Sequence, residues 1–253
     1  MKGIGMDFTD RHVVITGASS GIGRATAEHV AALGGRVTLL ARRADRLAEL
    51  AASLGADARW QAVDVANGPA LDAALDAAIA GGGPIDGLFL NAGTGGTFAP
   101  VEDYAEADFA QVMAVNLTAP FRAVARALRA MKARRRGAIL VTGSLASERG
   151  MANNVAYVAS KHAVLGLARA VALEAAPFGV RCNCVVPGFI ETEMFAALPG
   201  EALEALAGKV PQGRTGSAEE LAAVAAFLLS DAASHVTGQS IAVDGGVLGT
   251  LRV

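Results

Sequence analysis

Short apolar runs alternate with longer alanine-rich stretches along the sequence, and this alternation restricts the fold more than any other feature. The apolar runs predict strands over Val13–Thr16, Val37–Ala41, Trp60–Val63, Gly87–Leu90, Ala138–Thr142, Arg181–Val186 and Ser240–Val243. The stretches between them predict helices over Gly21–Leu33, Ala44–Leu54, Pro69–Ala80, Phe109–Lys132, Val155–Ala176 and Ala218–Leu229. Strand, helix and strand in succession form right-handed crossovers and a parallel sheet. The expected fold class is therefore α/β, a doubly wound sheet of about seven parallel strands with helices on both faces. The strands read as continuous apolar runs, as if each were covered on both faces. Gly81-Gly82-Gly83-Pro84 fits a helix-to-strand turn, and no linker divides the sequence. Residues 1–253 thus read as one domain.

Composition excludes several classes. With 53% hydrophobic residues and a net charge of −2, disorder is excluded as the dominant state, and no global field exists for phosphates. No apolar run approaches the ~18 residues of a membrane span; Ala222–Leu229 is among the longest. Cys182 and Cys184 stand two apart in a predicted strand and so share a face. They read as reduced core thiols rather than a disulfide or a metal site. The N-terminal sequence has no long apolar segment of a secretory signal. A cytoplasmic protein with no nucleic-acid or membrane partner and no metal is expected.

The first strand runs into Thr16-Gly17-Ala18-Ser19-Ser20-Gly21-Ile22-Gly23, and a helix follows. A glycine-rich strand-to-helix turn lets backbone approach a pyrophosphate, and the helix N-terminus offers free N–H groups. Gly17, Gly21 and Gly23, spaced GxxxGxG, with Ser19, Ser20 and Ile22 between them, form the candidate phosphate loop of a Rossmann fold. Nicotinamide-binding folds commonly place an acid near the end of the second strand to hold the ribose 2′-hydroxyl. Here that strand ends in Ala41, Arg42 and Arg43. A carboxylate would repel a 2′-phosphate, whereas a guanidinium binds one bidentately. NADP(H) is expected over NAD(H).

Tyr157 and Lys161 stand four apart in a predicted helix and share a face. A nearby ammonium lowers a phenol's pKa, which makes Tyr157 a candidate general acid/base. Ser144 follows the fifth strand and can donate a hydrogen bond to a carbonyl or alkoxide oxygen.

These pieces, taken in order, resemble the short-chain dehydrogenase/reductase family over essentially the whole chain. The matching segments are Thr16–Gly23, Asp64–Val65, Asn91–Gly93, Asn116 in VNLTAPF, Ser144, Tyr157–Lys161, Val185–Thr192 and Val243–Gly246. The resemblance implies that Tyr157 exchanges a proton with the substrate oxygen, that Ser144 orients the carbonyl, and that Lys161 binds the nicotinamide ribose. It implies that Asn116 supports a water relay to Lys161. Asp64 and Val65 would face the adenine; Asn91, Ala92 and Gly93 the adenosine ribose. Pro187, Gly188, Ile190 and Thr192 would pass the nicotinamide. Two departures are visible: Leu90 precedes Asn91, and Gly143 precedes Ser144, where the family often has asparagine and serine.

The resemblance also implies a substrate lid around 193–216, in which Met194, Phe195, Leu198, Leu203 and Leu206 recur at helical spacing. Few charges stand near the expected pocket, whose wall candidates are Thr94, Leu145, Met151, Asn154 and Phe189, so a neutral ketone or secondary alcohol of modest size is expected. Arg149, the cation nearby, is expected on the surface. GFIETEM is similar to 3-oxoacyl-(acyl-carrier-protein) reductases, and Arg129, Lys132 and Arg134 to Arg136 could dock an acidic carrier. However, Phe178 stands where such enzymes tend to have a basic residue. An NAD-dependent alcohol or sugar dehydrogenase is the other alternative. Arg134 to Arg136 also suit the negative end of a helix dipole. The family commonly pairs through its two long helices, which implies a homotetramer.

Overall fold

The strands of the computed structural model form one parallel sheet in the order β3-β2-β1-β4-β5-β6-β7. The structure describes residues 6–193 and 200–250. The strands are β1 His12–Thr16, β2 Arg36–Ala41, β3 Ala58–Ala62, β4 Gly87–Leu90, β5 Gly137–Thr142, β6 Val180–Pro187 and β7 Ser240–Val243. Among the described residues the helices are α1 Gly21–Ala32, α2 Ala44–Leu54, α3 Gly68–Gly82, α4 Glu106–Met113, α5 Ala119–Arg134, α6 Val155–Ala175, α7 Gly200–Ala207 and α8 Ala218–Leu229.

Residue alternation along the strands divides the core into two layers. Val14, Leu40, Leu88, Val141 and Cys184 pack with residues of α3, α5 and α6. Val13, Leu39, Phe89, Leu140 and Val185 pack with residues of α1, α2 and α8. Helix starts are fixed locally. The Asn67 side chain accepts from the Ala70 N–H at 3.1 Å, and Ser217 and Glu220 form a reciprocal capping box on α8. Strand order reverses between β1 and β4, so a crevice opens beyond the carboxyl ends of those two strands. The glycine loop follows β1 and Asn91 follows β4, which puts both at that crevice.

Three sequence expectations need correction. The single helix over 109–132 is two: α4 begins earlier, and a π-helical turn over Ala114–Thr118 separates it from α5. The physical reason is Pro120, which has no N–H to give to the Asn116 carbonyl four residues back. The third strand lies two residues earlier at its start than expected. It is also not covered on both faces: Arg59 to Ala62 are exposed, as an edge strand permits. The other edge strand, β7, is only partly buried.

Candidate active site

Gly17 and Gly21 adopt φ of +68° and +50°, the left-handed region that disfavours side chains. A Cβ at Gly17 would stand 2.9 Å from the Ala92 backbone, and one at Gly23 would stand 2.3 Å from the Gly17 carbonyl oxygen. The turn therefore closes onto the loop after β4 with no room for a side chain. Ser20 makes no side-chain cap on α1, and the first turn of α1 holds no acid. A helix end without a side-chain cap or a first-turn acid can receive an external anion. A dinucleotide pyrophosphate fits this cradle of backbone donors.

Arg42 and Arg43 have different surroundings. Arg42 is exposed, whereas Arg43 folds back over the glycine loop. Its guanidinium donates to the Ser19 hydroxyl at 3.1 and 3.0 Å and to the Ser20 hydroxyl at 2.6 Å. Asp64 is exposed and accepts from the Ala66 N–H at 3.0 Å, while Val65 is buried. Beyond β4, the Thr16 hydroxyl accepts from the N–H groups of Asn91 and Ala92 at 3.0 and 3.1 Å. Asn91 accepts in turn from the Thr142 hydroxyl at 3.1 Å, so the ends of β1, β4 and β5 are tied together.

Asn116, on the π turn, is 2% exposed. Its side chain accepts from the Thr94 N–H at 2.9 Å and donates to the Thr94 carbonyl at 2.9 Å and the Ser160 hydroxyl at 3.0 Å. The amide therefore staples the β4–α4 loop to α6. Its backbone carbonyl, without the usual α-helical donor at Pro120, faces no such commitment from that residue. A Cβ at Gly93 would lie 3.4 Å from Asn116 Oδ1 and 3.5 Å from Lys161 Nζ, which brings these three residues to one place.

Ser144 caps a short 3-10 turn, Leu145–Ser147. Its Oγ accepts from the Ala146 N–H at 3.1 Å, and its own N–H donates to the buried Ser147 hydroxyl at 3.1 Å. With that lone pair engaged, the single Ser144 O–H donates to the Tyr157 phenol oxygen. Tyr157 and Lys161 stand one turn apart on α6, with the ammonium 5.6 Å from the phenol ring centroid. Lys161 donates to the Thr142 carbonyl at 2.8 Å, and burial pulls its ammonium down to about 8. Burial raises the Tyr157 phenol above its ordinary value, and the hydrogen bond from Ser144 offsets only part of this. The lowering expected from Lys161 is not found: desolvation raises the phenol, and the group that opposes it is Ser144.

A family profile described as Enoyl-(Acyl carrier protein) reductase matches residues 17–248. Levodione reductase of Leifsonia aquatica is 37% identical over 252 residues, covering 94% of each chain. The chain belongs to the short-chain dehydrogenase/reductase family. A cis-4-hydroxycyclohexanecarboxylate dehydrogenase of Sinomonas cyclohexanicum is 38% identical over 245 residues, 96% of this chain and 98% of the relative. A 3-oxoacyl-(acyl-carrier-protein) reductase of Salmonella typhimurium is 34% identical over 244 residues, 96% of this chain and 99% of the relative. The crystal structure of levodione reductase superposes with a TM-score of 0.92 at 35% identity, covering 96% of this chain and all of that one. The protein is an oxidoreductase of this family, whose members use nicotinamide cofactors.

The remaining short-chain dehydrogenase/reductase segments fall around the same crevice. Pro187 ends β6, and the Gly188 N–H donates to the Val243 carbonyl at 3.0 Å. Ile190 is buried, and Thr192 reaches the phosphate loop, where its Cγ2 would stand 3.0 Å from a Cβ at Gly21. The departure at Gly143 has a cause in packing. A Cβ there would lie 2.7 Å from Cys184 Sγ and 2.9 Å from Ser147 Oγ. Burial pushes the Cys182 and Cys184 thiols to about 12 and about 11, which makes them inert core groups.

The pocket-wall candidates and the lid candidates fall in several places. Met151 and Asn154 line a cavity of 580 Å³ together with Val158 and His162, on a face of α6 turned away from Tyr157 and Lys161. Leu203 and Leu206 are half-buried on α7, while Met194, Phe195 and Leu198 lie outside the described residues. Arg149 donates to the Glu148 and Leu248 carbonyls, consistent with its expected surface role. Sequence reasoning passed over Thr16, Ser147 and Ser160. Each sits inside or beside a recognised motif, but only the fold reveals which backbone groups its hydroxyl holds.

Proposed function

We propose that the protein interconverts a ketone and a secondary alcohol with NADP(H). The observation that carries this reading is the meeting of Ser144, Tyr157 and Lys161 beside a glycine cradle that admits no side chain. Gly17, Ser19, Ser20, Gly21, Ile22 and Gly23 would hold the pyrophosphate end, and Asn91, Ala92, Gly93, Lys161 and the segment from Pro187 to Thr192 the remainder. When bound, the nicotinamide cofactor supplies or accepts the hydride. Tyr157, kept neutral by burial, gives its phenolic proton to the substrate oxygen in reduction and takes it back in oxidation. Ser144, hydrogen-bonded to Tyr157 before substrate arrives, turns its O–H to that oxygen and orients it. Lys161 keeps two N–H donors beyond its bond to Thr142, enough to reach ribose hydroxyls and return a proton to Tyr157. Asn116 supports a water relay through its backbone carbonyl.

The absence of an acid at the end of β2 and the seat of Arg43 on Ser19 and Ser20 support NADP(H) over NAD(H). Side-by-side calorimetric titration tests it. NADPH should bind tighter by at least about tenfold, or about 1.4 kcal/mol; equal or tighter binding of NADH overturns the assignment.

The commitment of Arg149 to backbone carbonyls supports a substrate without a strong negative charge. The relative named for levodione supports a compact ketone. The carrier-protein alternative finds less support: Arg134 is taken by Asp86, Arg135 by the Pro177 carbonyl, and Lys132 lies 5.0 Å over the Phe178 ring. We read the chain as one catalytic domain in which 193–216 covers the substrate. The Ile190–Gly216 bridge draws the two ends of that excursion together. Exposed Phe109, Phe121 and Leu173 on α4, α5 and α6 support a homotetramer, and sedimentation as a monomer at micromolar concentration would refute it.

A further inference from the structure

The adenosine end of the cradle holds a carboxylate that β2 does not supply. Glu193, 150 residues beyond Arg43, accepts from Arg43 Nη1 at 2.7 Å and also pairs with Arg46 in the first turn of α2. Arg43 is thereby divided. Its Nε and Nη2 are spent on the Ser19 and Ser20 hydroxyls of the phosphate loop, and its Nη1 on Glu193. The hydrogen bond from Arg43, with that from Arg46, keeps the Glu193 carboxyl below the usual carboxylate range, so it is an anion at neutral pH. All three side chains are partly exposed, and a pair of this kind opens at little cost.

We propose that Glu193 sets cofactor specificity by competing with the 2′-phosphate of NADP(H) for the guanidinium groups of Arg43 and Arg46. The proposal rests on the NADP(H) reading above. A phosphate dianion seeks the same forked N–H donors that the carboxylate occupies, and the two anions repel each other at one site. The 2′-hydroxyl of NAD(H) carries no charge and so has no such conflict with the carboxylate. Glu193 thus acts against the arginines, narrowing a discrimination that they would otherwise make wider.

The test is calorimetric titration of NADPH and NADH into the wild type and into Glu193→Gln, Glu193→Ala and Arg43→Ala. Both Glu193 variants should bind NADPH about fivefold tighter with NADH little changed, and their cofactor-free melting points should match the wild type. Arg43→Ala should lose NADPH affinity by about tenfold. If Arg43→Ala behaves so but neither Glu193 variant tightens NADPH, the competition is overturned and the cofactor reading stands. A ratio that rises only because NADH weakens also overturns the competition. If Arg43→Ala leaves NADPH binding intact, the cofactor reading itself falls and takes the role of Glu193 with it.

Discussion

The N-terminal and C-terminal edges of the sheet, meaning the two ends of its strands rather than the outer strands β3 and β7, bury polar groups to opposite ends. At the N-terminal edge, His12 is fully buried with both ring nitrogens engaged, by the Gly83 carbonyl at 2.9 Å and the Thr38 hydroxyl at 2.8 Å. Its backbone N–H donates to Asp86, which also takes Arg134. Arg181 nearby donates to the carbonyls of Leu228, Val236 and Ser230. At the C-terminal edge, Lys161 is nearly as buried, yet its ammonium has the Thr142 carbonyl as its hydrogen-bond acceptor among the described residues. Ser144 meets the Tyr157 phenol, and α1 presents uncapped N–H groups. A shifted titration therefore does not by itself mark a site. His12 and Lys161 are both lowered by burial, but only Lys161 keeps hydrogen-bonding capacity that another molecule can use.

Three substitutions press on that contrast. Tyr157→Phe removes the proton at the C-terminal edge, and turnover should fall by about 10²–10⁴-fold. NADPH affinity, measured by titration, should stay near the wild type; an unaltered rate removes Tyr157 from the acid/base role.

His12→Ala should leave cofactor affinity unchanged and cost about 2–4 kcal/mol in denaturant unfolding, through a cavity and two lost hydrogen bonds. It should also alter the acid limb of stability. Because folding holds His12 below its ordinary 6.5, mainly by desolvation, the unfolded chain takes up the proton first. The contribution is full above about pH 6.5 and declines as pH falls toward the folded value. The variant should lose that slope, and an unchanged slope would show that His12 does not titrate on unfolding.

Lys161→Met should abolish turnover yet stabilise the fold at pH 7 by up to about 3 kcal/mol, since it removes a buried charge. In the wild type the folded value of about 8 lies below the ordinary 10.5. The unfolded chain then binds more protons between those values, and stability rises with pH across the window. Unfolding curves of the variant should show no such rise; if they retain it, another group is responsible.

Much of this was legible in the sequence because it depends on local order. Tyr157 and Lys161 share a face through spacing alone, and the glycines announce a backbone approach before the partner is known. The π turn was not legible, although its cause is. Pro120 lies one residue inside α5, and apolar periodicity runs across it without a break. The exposure of β3 was missed because apolar content cannot distinguish an edge strand from a central one. The different surroundings of Arg42 and Arg43 were hidden for a related reason: adjacent side chains leave a strand end in different directions, and only the glycine loop fixes which one folds back over it.

The sequence alone determined the alternating α/β architecture, the glycine loop after the first strand, and the choice of Ser144, Tyr157 and Lys161 as candidates. Those features follow from periodicity, from chirality of the crossovers and from residues close together in the chain. Tertiary structure decided how the groups are charged and engaged. Burial, not Lys161, governs the Tyr157 phenol; Cys184 and Ser147 leave room only for glycine at position 143; Glu193 meets Arg43 across 150 positions. Desolvation and long-range pairing depend on what the fold brings near, and no local pattern carries that information.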